Sequence, residues 1–215
     1  MKPLYNACFL SALLIGCGAV AQAQEDKLAV TDPSGATYSV SGRYGKNDYI
    51  HITKVNARGD LLWEADYDTG VNEKPVSVAL NSEGIIILAT RPLNDSRSFS
   101  LISYSAQNYL VWERPSDARD SIPVSVKVDK EDRIYVCGNV KVATHYNAGL
   151  WKFDNNGSMF WDVEYTAGGN SYAQQIQLLF NGDISLGVSA FFGSDNYGQY
   201  ERRAVIYDGS GRQLR

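Results

Sequence analysis

The chain has 215 residues, 44% of them hydrophobic and 20% charged, with 20 Lys+Arg against 24 Asp+Glu and a net charge of -4. That apolar content supplies a sizeable core and excludes disorder as the main state. The mild acidic balance, with no cluster of positive charge, excludes a nucleic-acid or acidic-lipid surface. With 14 Tyr, 19 Gly and 4 Trp against 2 Met, the vocabulary is that of strands and turns, and it predicts an all-β protein.

The first segment is a targeting signal. Lys2 precedes an uncharged run from Cys8 to Val20, and Ala21-Gln22-Ala23 follows, which predicts a secretory signal peptide over 1-23 with cleavage after Ala23. Leu14-Ile15-Gly16-Cys17 also resembles the lipobox of bacterial lipoproteins, in which Cys17 becomes the lipidated first residue. Both readings stay open and both export the protein, to the periplasm, to the exterior, or to the outer membrane through the lipid as its membrane attachment. The apolar run is shorter than the ~20 residues that span a bilayer. Beyond the signal only Cys137 remains, so no disulfide framework forms within the domain. It lies in the strand-like Arg133-Ile134-Tyr135-Val136-Cys137-Gly138 with no neighbouring His to activate it, and reads as a small buried residue.

From Leu28 onward the chain repeats. The first unit runs Leu28-Val30, Tyr38-Val40-Gly42, Ile52-Thr53-Lys54-Val55, then the turn Asn56-Ala57-Arg58-Gly59 and Trp63. The second gives Val76-Val78-Leu80, Ile86-Leu88-Thr90 and Leu101-Ile102-Ser103-Tyr104, with Asn108 and Trp112. The third gives Val124-Val126-Val128, Ile134-Val136-Gly138 and Leu150-Trp151-Lys152-Phe153, with Gly157 and Trp161. The fourth gives Ile176-Leu178-Phe180, Ile184-Leu186-Val188 and Ala204-Val205-Ile206-Tyr207 before Gly211, and has Arg215 where the Trp belongs. The three tryptophans stand 49 and 49 apart. Each unit thus holds four short strands between turn signals, the content of one antiparallel propeller blade. The expectation is a β-propeller of about four blades of four strands, the last incomplete, over 24-215, with repeats near 27-70, 71-119, 120-168 and 169-215.

The blocks Ile52 to Trp63 and Leu150 to Trp161 resemble the tandem β-propeller repeats of bacterial extracytoplasmic proteins. They are also similar to the pyrroloquinoline-quinone-like repeat, in which an acidic or Asn residue, a Gly and a Trp end a blade. Here the Asn or Asp stands three residues before Gly instead of four, and no quinoprotein active site accompanies it.

Catalytic signatures are missing. His51 and His145 occupy different blade positions, and no His pair or Cys cluster has metal-ligand spacing. Gly209-Ser210-Gly211 is a turn and not a nucleophile elbow. Glu64, Glu113 and Asp162 recur after each Trp and read as solvation or cross-strand pairing on the outer strand, while Asn72, Asp120 and Asn170 recur before each first strand and read as interblade turn caps. The non-repeating loop from Ala190 to Tyr200 concentrates Phe191, Phe192, Tyr197 and Tyr200 among Gly, Ser and Asn, and is the candidate ligand site. No catalytic residue, metal or cofactor is expected. The expected function is an exported, non-enzymatic binding or interaction scaffold with a protein or glycan partner, self-associating if its ring is unclosed. The alternatives are a quinoprotein- or lactonase-like propeller enzyme and a purely structural envelope or surface protein.

Overall fold

The computed structural model describes residues 28–94, 96–116, 120–192 and 198–215. The signal segment with Cys17, and Tyr197 of the aromatic loop, lie outside the described residues. Fifteen strands form four antiparallel sheets in chain order, and no helix occurs among the described residues. The first sheet holds β1 (Leu28–Thr31), β2 (Thr37–Arg43), β3 (Tyr49–Val55) and β4 (Leu61–Tyr67). The second holds β5 (Lys74–Leu80), β6 (Gly84–Leu93), β7 (Ser96–Ser105) and β8 (Leu110–Pro115). The third holds β9 (Ser121–Val128), β10 (Ile134–Val142), β11 (His145–Phe153) and β12 (Met159–Tyr165). The fourth holds β13 (Ser171–Leu178), β14 (Ile184–Phe192) and β15 (Gln199–Tyr207). Its fourth strand is only begun, where Leu214 N–H donates to Ile206 O at 2.7 Å and Ile206 N–H to Arg215 O at 2.8 Å. This is the four-bladed all-β architecture, with an incomplete last blade, that the repeat implies.

Side-chain patterning states which sheets are sandwiched. In β6, Ile85, Ile86, Ile87, Leu88 and Ala89 are all fully buried, because the second sheet packs on both the first and the third. In β3 only Ile50 and Ile52 reach the core, alternating with His51 and Thr53, and in β14 Ile184, Leu186 and Val188 alternate with Ser185, Gly187 and Ser189. A sheet covered on one face keeps period-two alternation, whereas one covered on both reads as a continuous apolar run. Three apolar clusters result, joining the first sheet to the second, the second to the third and the third to the fourth. Among the described residues none joins the fourth to the first. The outward face of the first sheet carries His51, Glu64 and Asp66, and that of the fourth mixes polar residues with the rings of Tyr172, Phe191 and Tyr200.

A tryptophan latch marks each interface. Trp63 Nε1–H donates to Ala106 O at 3.0 Å, Trp112 to Asn155 O at 2.9 Å and Trp161 to Gly209 O at 3.2 Å, each acceptor lying in the β-turn of the following blade. Lys54 and Lys152, both buried, point at the same carbonyls as Trp63 and Trp161. The turns are built by side-chain acceptors: Asn56, Asp154 and Asp208 each take two backbone N–H groups through Oδ1, and Ser105 does so through Oγ. Gly59, Asn108, Gly157 and Gly211 supply the left-handed residue that each turn needs.

Candidate functional site

The linkers between sheets meet the second-to-third-strand hairpins at one end of the blades. There Asn72, Asp120 and Asn170 do the same job. Their side-chain oxygens accept the backbone N–H of Asp48 at 2.9 Å, Arg97 at 3.2 Å and Tyr146 at 2.9 Å, each in the hairpin of the preceding sheet. The main-chain carbonyls of Asp120 and Asn170 accept Lys141 N–H and Phe191 N–H, both at 2.8 Å, from their own sheet. Each clamp therefore holds two neighbouring sheets in register, and an Asx side chain satisfies hairpin donors that water would otherwise have to reach.

What surrounds the clamp differs from interface to interface. At the first, Lys74 Nζ lies 3.2 Å from Asp48 Oδ2, and at the second, Lys141 Nζ lies 3.6 Å from Asp120 Oδ2. At the third, the corresponding positions are aromatic. Tyr146 and Tyr172 have ring centroids 5.6 Å apart, Tyr172 and Tyr200 6.1 Å, and Phe191 and Tyr200 5.4 Å in an edge arrangement. Four rings from β11, β13, β14 and β15 thus form one platform, with Tyr200 51% exposed. Asn170 anchors it at two points, through Tyr146 and through Phe191. A Cβ at Gly198 would lie 2.2 Å from Phe191 Cζ, so only glycine lets this chain segment cross the ring. Burial and the neighbouring Tyr200 push the Tyr172 hydroxyl above its ordinary range.

The four aromatics picked out in the sequence separate. Phe191 and Tyr200 join the platform, whereas Phe192 turns to the other face of its strand, where the Arg203 guanidinium carbon lies 4.0 Å from its ring centre and Arg203 pairs with Glu201 at 2.9 Å. Tyr197 lies outside the described residues. Tyr146 and Tyr172 give no signal along the chain because each stands alone at the start of a strand. Superposing the repeats shows them: the residue two beyond the clamp is Lys74, Ile122 and Tyr172 in turn.

His51 Nδ1 lies 2.6 Å from Asp66 Oδ1 and 4.0 Å separates its Nε2 from Glu64, and no group of three or more metal-ligating side chains occurs among the described residues. Ser210 donates its hydroxyl to Asp208 within the last turn, and His145 closes the hairpin after Val142. Cys137 is fully buried, and burial pushes its thiol up to about 12. Glu113 pairs with Arg91 at 2.7 Å.

One buried acid went unnoticed. The residue after the clamp is Glu73, Ser121 and Ser171 in turn, and all three are buried. The Glu73 carboxyl accepts the Thr69 hydroxyl through Oε1, while Oε2 has no hydrogen-bond partner. Burial, with Glu113 and Asp68 nearby, raises its pKa against the opposing effects of Thr69 and Arg91. It is sealed from solvent in the linker between the first and second sheets.

No family model and no curated protein matches the sequence. Solved structures do. A Hadza microbial sialidase superposes with a TM-score of 0.59 at 13% identity, over 86% of this chain and 44% of that one. An endo-arabinase from Bacteroides thetaiotaomicron superposes with a TM-score of 0.53 at 11% identity, over 89% of this chain and 81% of that one. The chain therefore spans less than half the length of the sialidase. Likeness at these identities establishes the fold, which is propeller-like, and gives no support to the pyrroloquinoline-quinone-like repeat. It corrects the expectation of a non-enzymatic binding or interaction scaffold, and equally the quinoprotein, lactonase and purely structural alternatives, since the propellers on which this chain superposes are a sialidase and an endo-arabinase.

Proposed function

We propose that this chain acts on carbohydrate as a propeller of the glycoside-hydrolase type and that a sugar ring docks on the platform of Tyr146, Tyr172, Phe191 and Tyr200. The observation that carries the reading is a departure from the repeat. Of three equivalent interblade clamps, two are surrounded by Lys–Asp pairs and the third by four rings in mutual contact. Packing does not require this, because the first two interfaces hold together without it. Aromatic faces take up the apolar C–H face of a sugar while its hydroxyl groups stay hydrogen-bonded at the edges, and the Tyr hydroxyls add donors and acceptors there. The platform residues are neither acids nor bases, so their part is recognition; glycosidic cleavage needs a pair of carboxyl groups in addition.

The test separates binding from turnover. Reducing-sugar release and calorimetric binding are measured on a panel of arabino-, galacto- and uronic-acid oligosaccharides, for the wild type and for Tyr172→Ala and Tyr200→Ala. The expected result is turnover of at least one substrate, with both variants raising KM and leaving kcat nearly unchanged. Absence of both binding and release across the panel overturns the proposal.

A further inference from the structure

The platform continues into a groove. The outward face of the fourth sheet is ordered in cross-strand rows: Phe191 opposite Tyr200, then Tyr172, Ser189 and Arg202, then Gln175, Gly187 and Ala204, then Gln177, Ser185 and Ile206. Gln175, Gln177, Ser185, Gly187 and Arg202 line a hollow of 470 Å³ on this face. Arg202 shares a row with Tyr172 and stands two residues from Tyr200 on the same face of β15, so its guanidinium belongs to the border between platform and groove. It has no ion-pair partner among the described residues. Glu201 and Arg203, one position to either side, pair with each other, and Arg203 covers the Phe192 ring on the opposite face. None of the residues lining the hollow is acidic.

The other outward face has the opposite character. On the first sheet it carries His51 between Asp66 and Glu64. Carboxylates thus flank the histidine of the first-sheet face, and none lines the hollow of the fourth. We propose that the fourth-sheet groove is a subsite for a carboxylate-bearing sugar, the Arg202 guanidinium taking the carboxylate while the sugar ring rests against Tyr172 and Tyr200. A planar guanidinium matches a carboxylate with two parallel N–H···O bonds, and the Gln175 and Gln177 amides with Ser185 offer the uncharged donors and acceptors that sugar hydroxyls need. Gln175 is fixed for this by Gly187, where a Cβ would lie 2.9 Å from Gln175 Cγ. The inference rests on the carbohydrate reading above and adds the charge of the ligand.

The probe is tetragalacturonate, with its fully methyl-esterified form as a neutral ligand on the same backbone, titrated calorimetrically against the full-length chain and against Arg202→Gln and Arg202→Lys. The expected result is binding of the acid at least tenfold tighter than of the ester. Arg202→Gln abolishes that preference with the ester affinity and the melting temperature unchanged, and Arg202→Lys restores it in part. Equal affinity for acid and ester in the wild type overturns the subsite and leaves the platform reading standing. Binding of neither overturns the subsite, and the oligosaccharide panel above decides the platform separately. An oligomer of the wild type that dissociates in Arg202→Gln, with no change in uronate binding, overturns the subsite in favour of a second copy of the chain on this face.

Discussion

The Trp112 indole N–H donates to the main-chain carbonyl of Asn155, 2.9 Å away in the turn of the next blade, and Trp63 and Trp161 repeat the relationship with Ala106 and Gly209. Trp112 is also the most buried of the three, packed in the cluster between the second and third sheets. Trp112→Ala is expected to cost about 3–5 kcal/mol. Trp112→Phe, which keeps most of the ring, should lose at least the ~1 kcal/mol of the hydrogen bond. Urea midpoints of the two variants check this ordering, and equal midpoints for wild type and Trp112→Ala would sink the latch.

The turn glycines divide by what stands in front of them. Gly59, φ +89°, has nothing within 4 Å of an added Cβ, whereas at Gly157, φ +76°, that atom would meet Trp112 Cζ3 at 2.9 Å and Arg114 Cγ at 2.5 Å. Gly59→Ala therefore incurs only the left-handed backbone cost of about 1–2 kcal/mol. Gly157→Ala adds a clash with the latch and is expected to melt several degrees lower than Gly59→Ala by calorimetry.

Glu73 predicts a pH dependence. Its folded-state pKa is raised by burial, so the protonated form is the one that the fold favours. Stability from this group is complete below the unfolded glutamate value of about 4.3 and is lost as pH rises through the folded value. Glu73→Gln keeps the shape and removes the ionisation. The variant should gain stability relative to the wild type between pH 4 and pH 8, read as the difference in chemical midpoint. A difference that does not change with pH over this range would remove Glu73 as the cause.

Asn170 and Asn72 are matched clamps with different surroundings. Asn170→Ala and Asn72→Ala should each cost about 1 kcal/mol or somewhat more, since each strands a hairpin donor. Only Asn170→Ala frees the Tyr146 N–H, Phe191 staying on the main-chain carbonyl of residue 170, and only it should weaken oligosaccharide binding, by several-fold. Parallel titrations of the two variants decide whether the platform or general destabilisation is responsible.

Export is proposed from the amino-terminal signal. Mass spectrometry of protein recovered from a bacterial envelope or medium is expected to show either a start at Gln24 or an acylated Cys17. Full-length protein confined to the cytoplasm would exclude both.

The sequence by itself determined the repeat and its turns. Trp63, Trp112 and Trp161 at a fixed interval, period-two alternation, and Asn or Asp three residues before a left-handed Gly are local features. Each is dictated by backbone geometry within a few residues, so each can be read along the chain. The sandwiching of the second sheet is not among them: Ile86-Leu88-Thr90 reads there as simple alternation, and only the structure buries Ile85 to Ala89 without a break. The tertiary structure alone decided which atoms meet. The acceptors of Trp63 and Trp112 lie 43 residues onward and that of Trp161 48 onward, distances at which no local rule chooses a partner. The platform draws its rings from four strands of two sheets, so the contiguous Phe191-Phe192 pair splits between two faces while the isolated Tyr146 and Tyr172 come together. Successive residues of a strand face opposite ways, and residues on different strands become neighbours only through register and blade packing. The physical reason is that a site made across sheets is written in pairing, and pairing is fixed only when the blades bury their apolar faces against each other.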